Sequence, residues 1–270
     1  MMNEAVLNQY EKAPRTWIVK LIVVLILVTL VAWSGTTIEL SKIPENGAEI
    51  SKNIIKGIFS PDTTLLFDRT NKGVAYLLLE TICIAFLGTL VGSILAIPFA
   101  FLSATNIVPK PVALVFRTLI MAIRTIPTLI YGLMFIRVTG PGAFTGLLTM
   151  SVASIGMISK LFSETIDDLD DSILEALDAA GCSTFQKIRC GIIPQLWSSL
   201  ISTLIFRFDM NLRDATILGV VGAGGIGAPL TFAINGYKWD EVGAILIGLI
   251  AFILIVEYSS SYIRKRLTQG

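Results

Sequence analysis

The stretch "VVGAGGIG", residues 220 to 227, contains Gly222-x-Gly224-x-x-Gly227, the glycine spacing that lets a backbone approach a dinucleotide pyrophosphate. Glu241 lies near the distance at which that chemistry wants an acidic group for the ribose. The fingerprint works only between a buried strand and a helix of a βαβ unit, so the surrounding elements decide its meaning. A second set of reactive types is charged: Arg207, Asp209, Arg213 and Asp214, with Asn211 among them, stand in an otherwise apolar stretch, and Glu80, Arg117 and Arg124 stand in two others. Histidine is absent from the chain, which removes the commonest general base, proton shuttle and zinc ligand. Cys83, Cys182 and Cys190 are odd in number and lack metal-type pairing, and read as small buried or unreactive thiols with no metal site. No Gly-x4-Gly-Lys-Ser/Thr occurs, so a nucleotide cradle of the usual kind is missing and energy must come from a partner or an ion gradient.

The elements that would position these groups are apolar. Of 270 residues 54% are hydrophobic and 15% charged, against about 25% charged in soluble domains. Mean hydropathy is +0.76. A net charge of +1, with no basic cluster larger than Arg264-Lys265-Arg266, argues against nucleic acid as a partner. A bilayer core about 30 Å thick needs about 20 apolar helical residues, and six regions qualify: 17–33, 74–104, 112–138, 143–162, 196–221 and 242–262. The first has a tryptophan at each end and no small-residue cleavage pattern after it, and reads as a retained span. The second offers Gly88-x3-Gly92 for close helix contact, and Pro127 predicts a kink in the third.

These spans make an all-α polytopic membrane protein with six transmembrane helices. Residues 1–72 hold an N-terminal segment, the first span and an external loop; residues 73–270 form a core of five spans. In the loop, Ile50, Ile54, Ile55 and Ile58 share a helical face that fits either the membrane surface or the protein itself. Six crossings put both termini on one side, and Lys12, Arg15 and Arg264 to Arg266 place that side in the cytoplasm, although the loop 34–72 also carries five Lys or Arg. No room remains for a βαβ unit, and the fingerprint glycines follow a helix crowded with charges. Gly222, Gly224, Gly225 and Gly227 then lie near the external face between spans five and six. Two readings stay open for them: plain close packing, or a break beside an outer gate.

Charges at mid-bilayer cost on the order of 2.5 to 3.5 kcal/mol each unless paired or wetted. On span five, Arg207, Asn211 and Asp214 share one helical face, and Asp209, Arg213 and Thr216 lie nearly opposite, so each face pairs a base with an acid. They either lock the helix to its neighbours or line a pathway. Arg117 and Arg124 against Glu80 leave a slight basic excess that suits an oxyanion. Lys160 and Glu164, four apart at the end of span four, read as an interfacial ion pair or a gating contact.

Between spans four and five lies a polar stretch, residues 163–195, placed in the cytoplasm by span count. "DSILEALDAAG" predicts a helix stopped by Gly181; Ser183 or Thr184 caps a second helix that ends at Pro194. The apolar residues Leu174, Ala176, Leu177 and Ile188 predict a face able to enter a groove of a soluble partner.

"EALDAAGCSTFQKIRCGIIP" resembles the E-A-A-x3-G-x9-I-x-L-P signature of the permease subunits of binding-protein-dependent ABC importers. Glu175 and Ala176 match its opening, Gly181 the glycine and Pro194 the proline; Leu177 stands for the second alanine, Gly191 for isoleucine and Ile193 for leucine. The resemblance covers residues 75–265 and is strongest to the phosphonate subgroup, through "RTIPTLIYGL", "GMISKLFSETID" and "NLRDATILGVVGAGGIG". Ala153 and Thr128 stand where that subgroup usually has a histidine and an acidic residue. The resemblance implies a type I importer permease in a bacterial cytoplasmic membrane. It implies coupling helices at about 165–195 that dock on a cytoplasmic ATPase dimer through Glu175, Ala176, Leu177, Ala179, Ala180 and Gly181. An extracytoplasmic binding protein would deliver phosphonate, phosphite or phosphate, and a second permease copy would complete the path. ATP and magnesium would sit in the partner ATPase, this chain being non-catalytic and without a cofactor. The alternatives are another small solute, or an ion-coupled secondary transporter, which should show an internal repeat that this chain lacks.

Overall fold

The computed structural model describes residues 17–37, 47–68 and 70–269, and these are helical with short connections. The terminal basic residues Lys12 and Arg15 lie outside them. Two compact units meet between Ser51 and Lys52. In the first, α1 (Trp17–Thr37) exposes apolar side chains from Trp17 to Trp33 around its whole circumference, as a helix solvated by lipid does. The second unit begins at Lys52, earlier than residue 73. It takes in the later half of α2 (Gly47–Phe59), α3 (Thr63–Phe67), α4 (Val74–Ser103), α5 (Lys110–Thr125), α6 (Thr128–Thr139) and α7 (Ala143–Asp167). After these come α8 (Asp171–Ala179), α9 (Thr184–Lys187), α10 (Ile193–Val220), α11 (Gly227–Asn235) and α12 (Trp239–Gln269). Five helices are long and apolar enough to cross a bilayer, and α5 with α6 as a bent pair brings the number to six.

The core of this unit is the α4–α7 pair, with α10 laid against both. Its buried positions are small on α4 (Ala85, Gly88, Gly92, Ala96, Ala100) and meet Met150, Ser154, Ile158 and Phe162 of α7. Lipid is as apolar as leucine, so helices gain by approaching until backbones touch, and small residues permit it. A Cβ on Gly92 would stand 2.5 Å from the Ser154 Cβ and 2.7 Å from the Ser151 carbonyl oxygen, so the Gly88-x3-Gly92 face is a true contact. Gly57 on α2 packs against the backbone of Trp239 at the start of α12, which favours packing on the protein for this half of the helix.

Three elements differ from the sequence reading. The third span is broken, not kinked: α5 and α6 meet at 81°. Proline disfavours the helical conformation for the residue before it, and here Ile126 is extended (φ −86°, ψ 120°) with Pro127 capping α6. The Tyr131 hydroxyl donates to the Ile123 carbonyl at 3.0 Å across the break. Pro194 does not end a helix either, because residues 184 to 220 form one continuous helical run. The turn Ile188–Ile192 is a π-helix in which the Ile193 amide reaches back to the Ile188 carbonyl, and this wider turn accommodates the proline ring at the start of α10. Finally α11, absent from the sequence reading, stands between the glycine stretch and α12.

Candidate functional site

The helix pair at residues 171–194 projects from the end of the bundle where α7 stops and α10 begins. Asp170 caps α8 by accepting from the Ser172 amide at 2.9 Å. Gly181 stops the helix at φ +74°; its amide bonds the Asp178 carbonyl at 2.9 Å and the Cys182 amide the Leu177 carbonyl at 3.0 Å, a Schellman motif. Ser183 and Gln186 then form a reciprocal capping box that starts α9. Lys187 pairs with Asp178 across the hairpin.

Of the predicted insertion face, Leu174, Leu177 and Ile188 are turned inward and only Ala176 faces out. Leu174 is buried with Ala104, Ile166, Leu169 and Ile192, and Ile188 packs against that cluster. The chain needs these residues to seat the hairpin on its own bundle. The outward surface consists of Glu175, Ala176, Ala179, Ala180 and Gly181, with Phe185 71% exposed beside them, while Leu177 is half-buried. Leu177 lies over Gly191, whose Cβ would come 2.5 Å from the Leu177 Cδ1. Two of the three departures from the permease signature therefore touch, the larger residue filling what the smaller leaves.

The Ser172 amide and hydroxyl hold the Asp170 carboxyl below the usual carboxylate range. A lowered folded-state pKa stabilises above the unfolded value, and the contribution disappears as pH falls through the folded value. Asp170→Ala should therefore speed amide exchange in α8 at neutral pH, and the difference from the parent should close in acid below the ordinary carboxylate range. A pH-independent difference would exclude the cap as its source.

Inside the bundle, α10 carries a polar seam. Asn211, fully buried, donates to Thr89 Oγ1 and Ser154 Oγ, both at 2.8 Å. Arg207, also buried, donates to Ser154 Oγ at 3.1 Å and to Met157 Sδ at 3.2 Å, and no carboxylate among the described residues lies within ion-pair distance of it. Asp214 on the same face accepts from Thr128 of the broken span at 3.5 Å. On the other face the expected pair forms: Arg213 bonds Asp209 at 3.1 Å, and also Glu257 of α12 at 3.2 Å, an acid that the sequence reading passed over. The opposition of Glu80 to Arg117 and Arg124 does not hold. Glu80 lies beside Gly224 at the end away from the hairpin, whereas Arg117 pairs with Asp167 beside the hairpin. Lys160 and Glu164 form the expected ion pair at 3.1 Å. Cys83 and Cys190 are exposed and Cys182 partly so, which removes burial from the two alternatives, buried or unreactive, that their number and spacing left.

The glycine stretch is a packed turn at the end opposite the hairpin. Gly222 (φ +99°) stops α10 with a second Schellman motif, and Gly224 and Gly225 continue at φ +84° and +74°. The Gly142 amide bonds the Gly222 carbonyl at 2.9 Å, and the buried Ile226 amide donates to Thr81 Oγ1 at 3.0 Å. A Cβ on Gly227 would fall 2.7 Å from Gly219. No strand precedes the turn, so the dinucleotide context is missing. Thr81→Val removes the acceptor and leaves a buried donor unpaired, at about 1–3 kcal/mol. Thermal unfolding should show a lowered Tm for T81V and a near-parent Tm for T81S; parent-like T81V would discount this bond.

A helical membrane bundle with a broken span, a buried polar seam and a capped helix pair at one end defines a membrane transport component. The chain belongs to the family described as binding-protein-dependent transport system inner membrane component, which it matches over residues 88–269. A phosphite transport system permease protein of Stutzerimonas stutzeri is 34% identical over 189 residues, 70% of this chain and 69% of its own length. A phosphate-import permease protein of Mycolicibacterium smegmatis is 32% identical over 213 residues, 78% of this chain and 40% of the longer relative. Among solved structures, an inward-facing form of the MetNI methionine ABC transporter superposes with a TM-score of 0.62 at 17% identity, over 72% of this chain and 95% of that one. That likeness establishes the fold, a type I importer permease architecture.

Proposed function

We propose that this chain is the permease subunit of an ATP-driven importer that carries phosphonate or a related phosphorus oxyanion delivered by a binding protein. The observation that carries this reading is the hairpin: a capped helix pair with Glu175, Ala176, Ala179, Ala180 and Gly181 facing outward, continuous with a 37-residue helical run into the bundle. ATP and magnesium belong to the partner ATPase, which docks on the hairpin from the cytoplasm, where both termini also lie. Closure of the ATPase pair moves the hairpins of two permease copies together, and the long helix transmits the motion. The glycine turn lies at the outer end in this orientation, where its hydrogen bonds to Gly142 and Thr81 tie it to the start of α7 and to α4. The names of the relatives, phosphite and phosphate permeases, support the substrate class.

The test is reconstitution of the chain with its ATPase and binding protein in liposomes. Phosphonate, phosphite or phosphate should stimulate ATP hydrolysis and enter the vesicles. Uptake driven by an ion gradient without the ATPase would overturn the proposal.

A further inference from the structure

Among the described residues, Arg124 shares with Arg207 the lack of an ion-paired carboxylate, but unlike Arg207 it opens onto a cleft. Arg117, Arg124 and Lys160 line an open cleft of about 190 Å³ between α5 and α7. Asp167 neutralises Arg117 and Glu164 neutralises Lys160. No carboxylate among the described residues lies within ion-pairing distance of Arg124, and its side chain is exposed to the cleft. It stands in the last turn of α5, about 20 Å from the first residue of that helix, next to the break at Ile126 and Pro127. A cation at such depth does not face hydrocarbon; it faces water, protein or an anion. The position is built: a Cβ on Gly156 of α7 would come 2.8 Å from the Arg124 Cγ, so this glycine makes room for the arginine stem.

We propose that this cleft binds the phosphorus oxyanion in transit, with the Arg124 guanidinium as its anchor. The inference rests on the reading of the chain as an oxyanion permease. A guanidinium presents parallel donors that match two oxygens of a phosphoryl or phosphonyl group. The volume admits a tetrahedral anion with a few waters. The flanking ion pairs limit the net charge of the cleft to about one, which binds an anion firmly enough to admit it and weakly enough to release it.

The experiment uses the assembled permease–ATPase complex in nanodiscs of phosphatidylcholine alone, without binding protein, titrated with inorganic phosphate and methylphosphonate and read by ³¹P line broadening. Broadening should be saturable in the parent, weakened about tenfold or more in Arg124→Gln, and weakened less in Arg124→Lys, which keeps the charge but not the paired donors. In liposomes with the binding protein, solute taken up per ATP hydrolysed should fall in R124Q and recover in R124K. Equal broadening in parent and R124Q, or none in the parent, overturns the proposal. So does the appearance of an Arg124-dependent signal only from phosphatidylglycerol in mixed nanodiscs, which would make this a lipid headgroup site. If instead the parent complex hydrolyses ATP in response to no phosphorus oxyanion on any binding protein, the permease reading itself has failed, independently of any Arg124 variant.

Discussion

A chain carrying Gly181→Val is expected to fold and insert like the parent, and to lose ATP-coupled uptake by about tenfold or more. Nothing lies within 4 Å of the site a Cβ would occupy, so the substitution meets no steric clash within the chain. The cost is conformational. A β-branched residue held at φ +74° is strained by about 1–3 kcal/mol, and the Schellman bonds to Asp178 and Leu177 hold only in that conformation. The strain is confined to the outward tip of the hairpin, beside the surface that we propose docks on the ATPase. Gly181→Asn, which tolerates the left-handed region better, should sit between valine and the parent. Co-purification of the ATPase and uptake in liposomes measure the effect, with thermal unfolding of the chain as the control. Parent-like uptake by G181V would remove Gly181 from the docking surface.

Gly92→Leu should have the opposite signature, a failure of the bundle itself. The added Cβ must displace Ser154 Cβ and a backbone carbonyl oxygen, neither of which can rotate away, so α4 and α7 must separate. Separation reaches beyond the local contact, because Asn211 donates one hydrogen bond to each helix, at Thr89 and Ser154. Dispersion contacts along the pair and both buried hydrogen bonds weaken together, and the expected cost exceeds about 3 kcal/mol. The measurement is monodispersity and unfolding in detergent, with Gly35→Leu on lipid-facing α1 as a comparison, where a Cβ meets nothing within 4 Å. A monodisperse G92L chain of parent stability would mean that the two helices have slack that the structure does not show.

Much of this was legible in the sequence, for reasons that differ by element. The spans announce themselves by length and apolarity, which need no knowledge of neighbours. The hairpin was legible because Gly181 and Ser183 act through their own local backbone, whereas the Asp170 cap was found only in the structure. What escaped depended on tertiary partners. Helix periodicity placed Arg207 and Asp214 on one face, but whether a base finds an acid, or a serine and a methionine as Arg207 does, depends on what α7 presents opposite. Glu257 was passed over because its partner lies on another helix. Of the apolar set Leu174, Ala176, Leu177 and Ile188, all but Ala176 turn toward the chain itself, because periodicity cannot say whether the cover of an apolar face is a partner or the chain's own bundle. At Pro194, proline as a helix terminator was outweighed by one turn of π-helix.

The contact between Leu177 and Gly191 changes how a mismatch between sequences is to be counted. A column-by-column comparison with the permease signature scores a substitution at each of these positions separately. In the folded chain the two share one volume, Leu177 lying over Gly191. Neither step is neutral alone, because alanine over Gly191 leaves a hollow and leucine over isoleucine overfills it. The two positions are therefore coupled, and a chimeric hairpin spliced between positions 177 and 191 is expected to carry a misfit that neither parent carries.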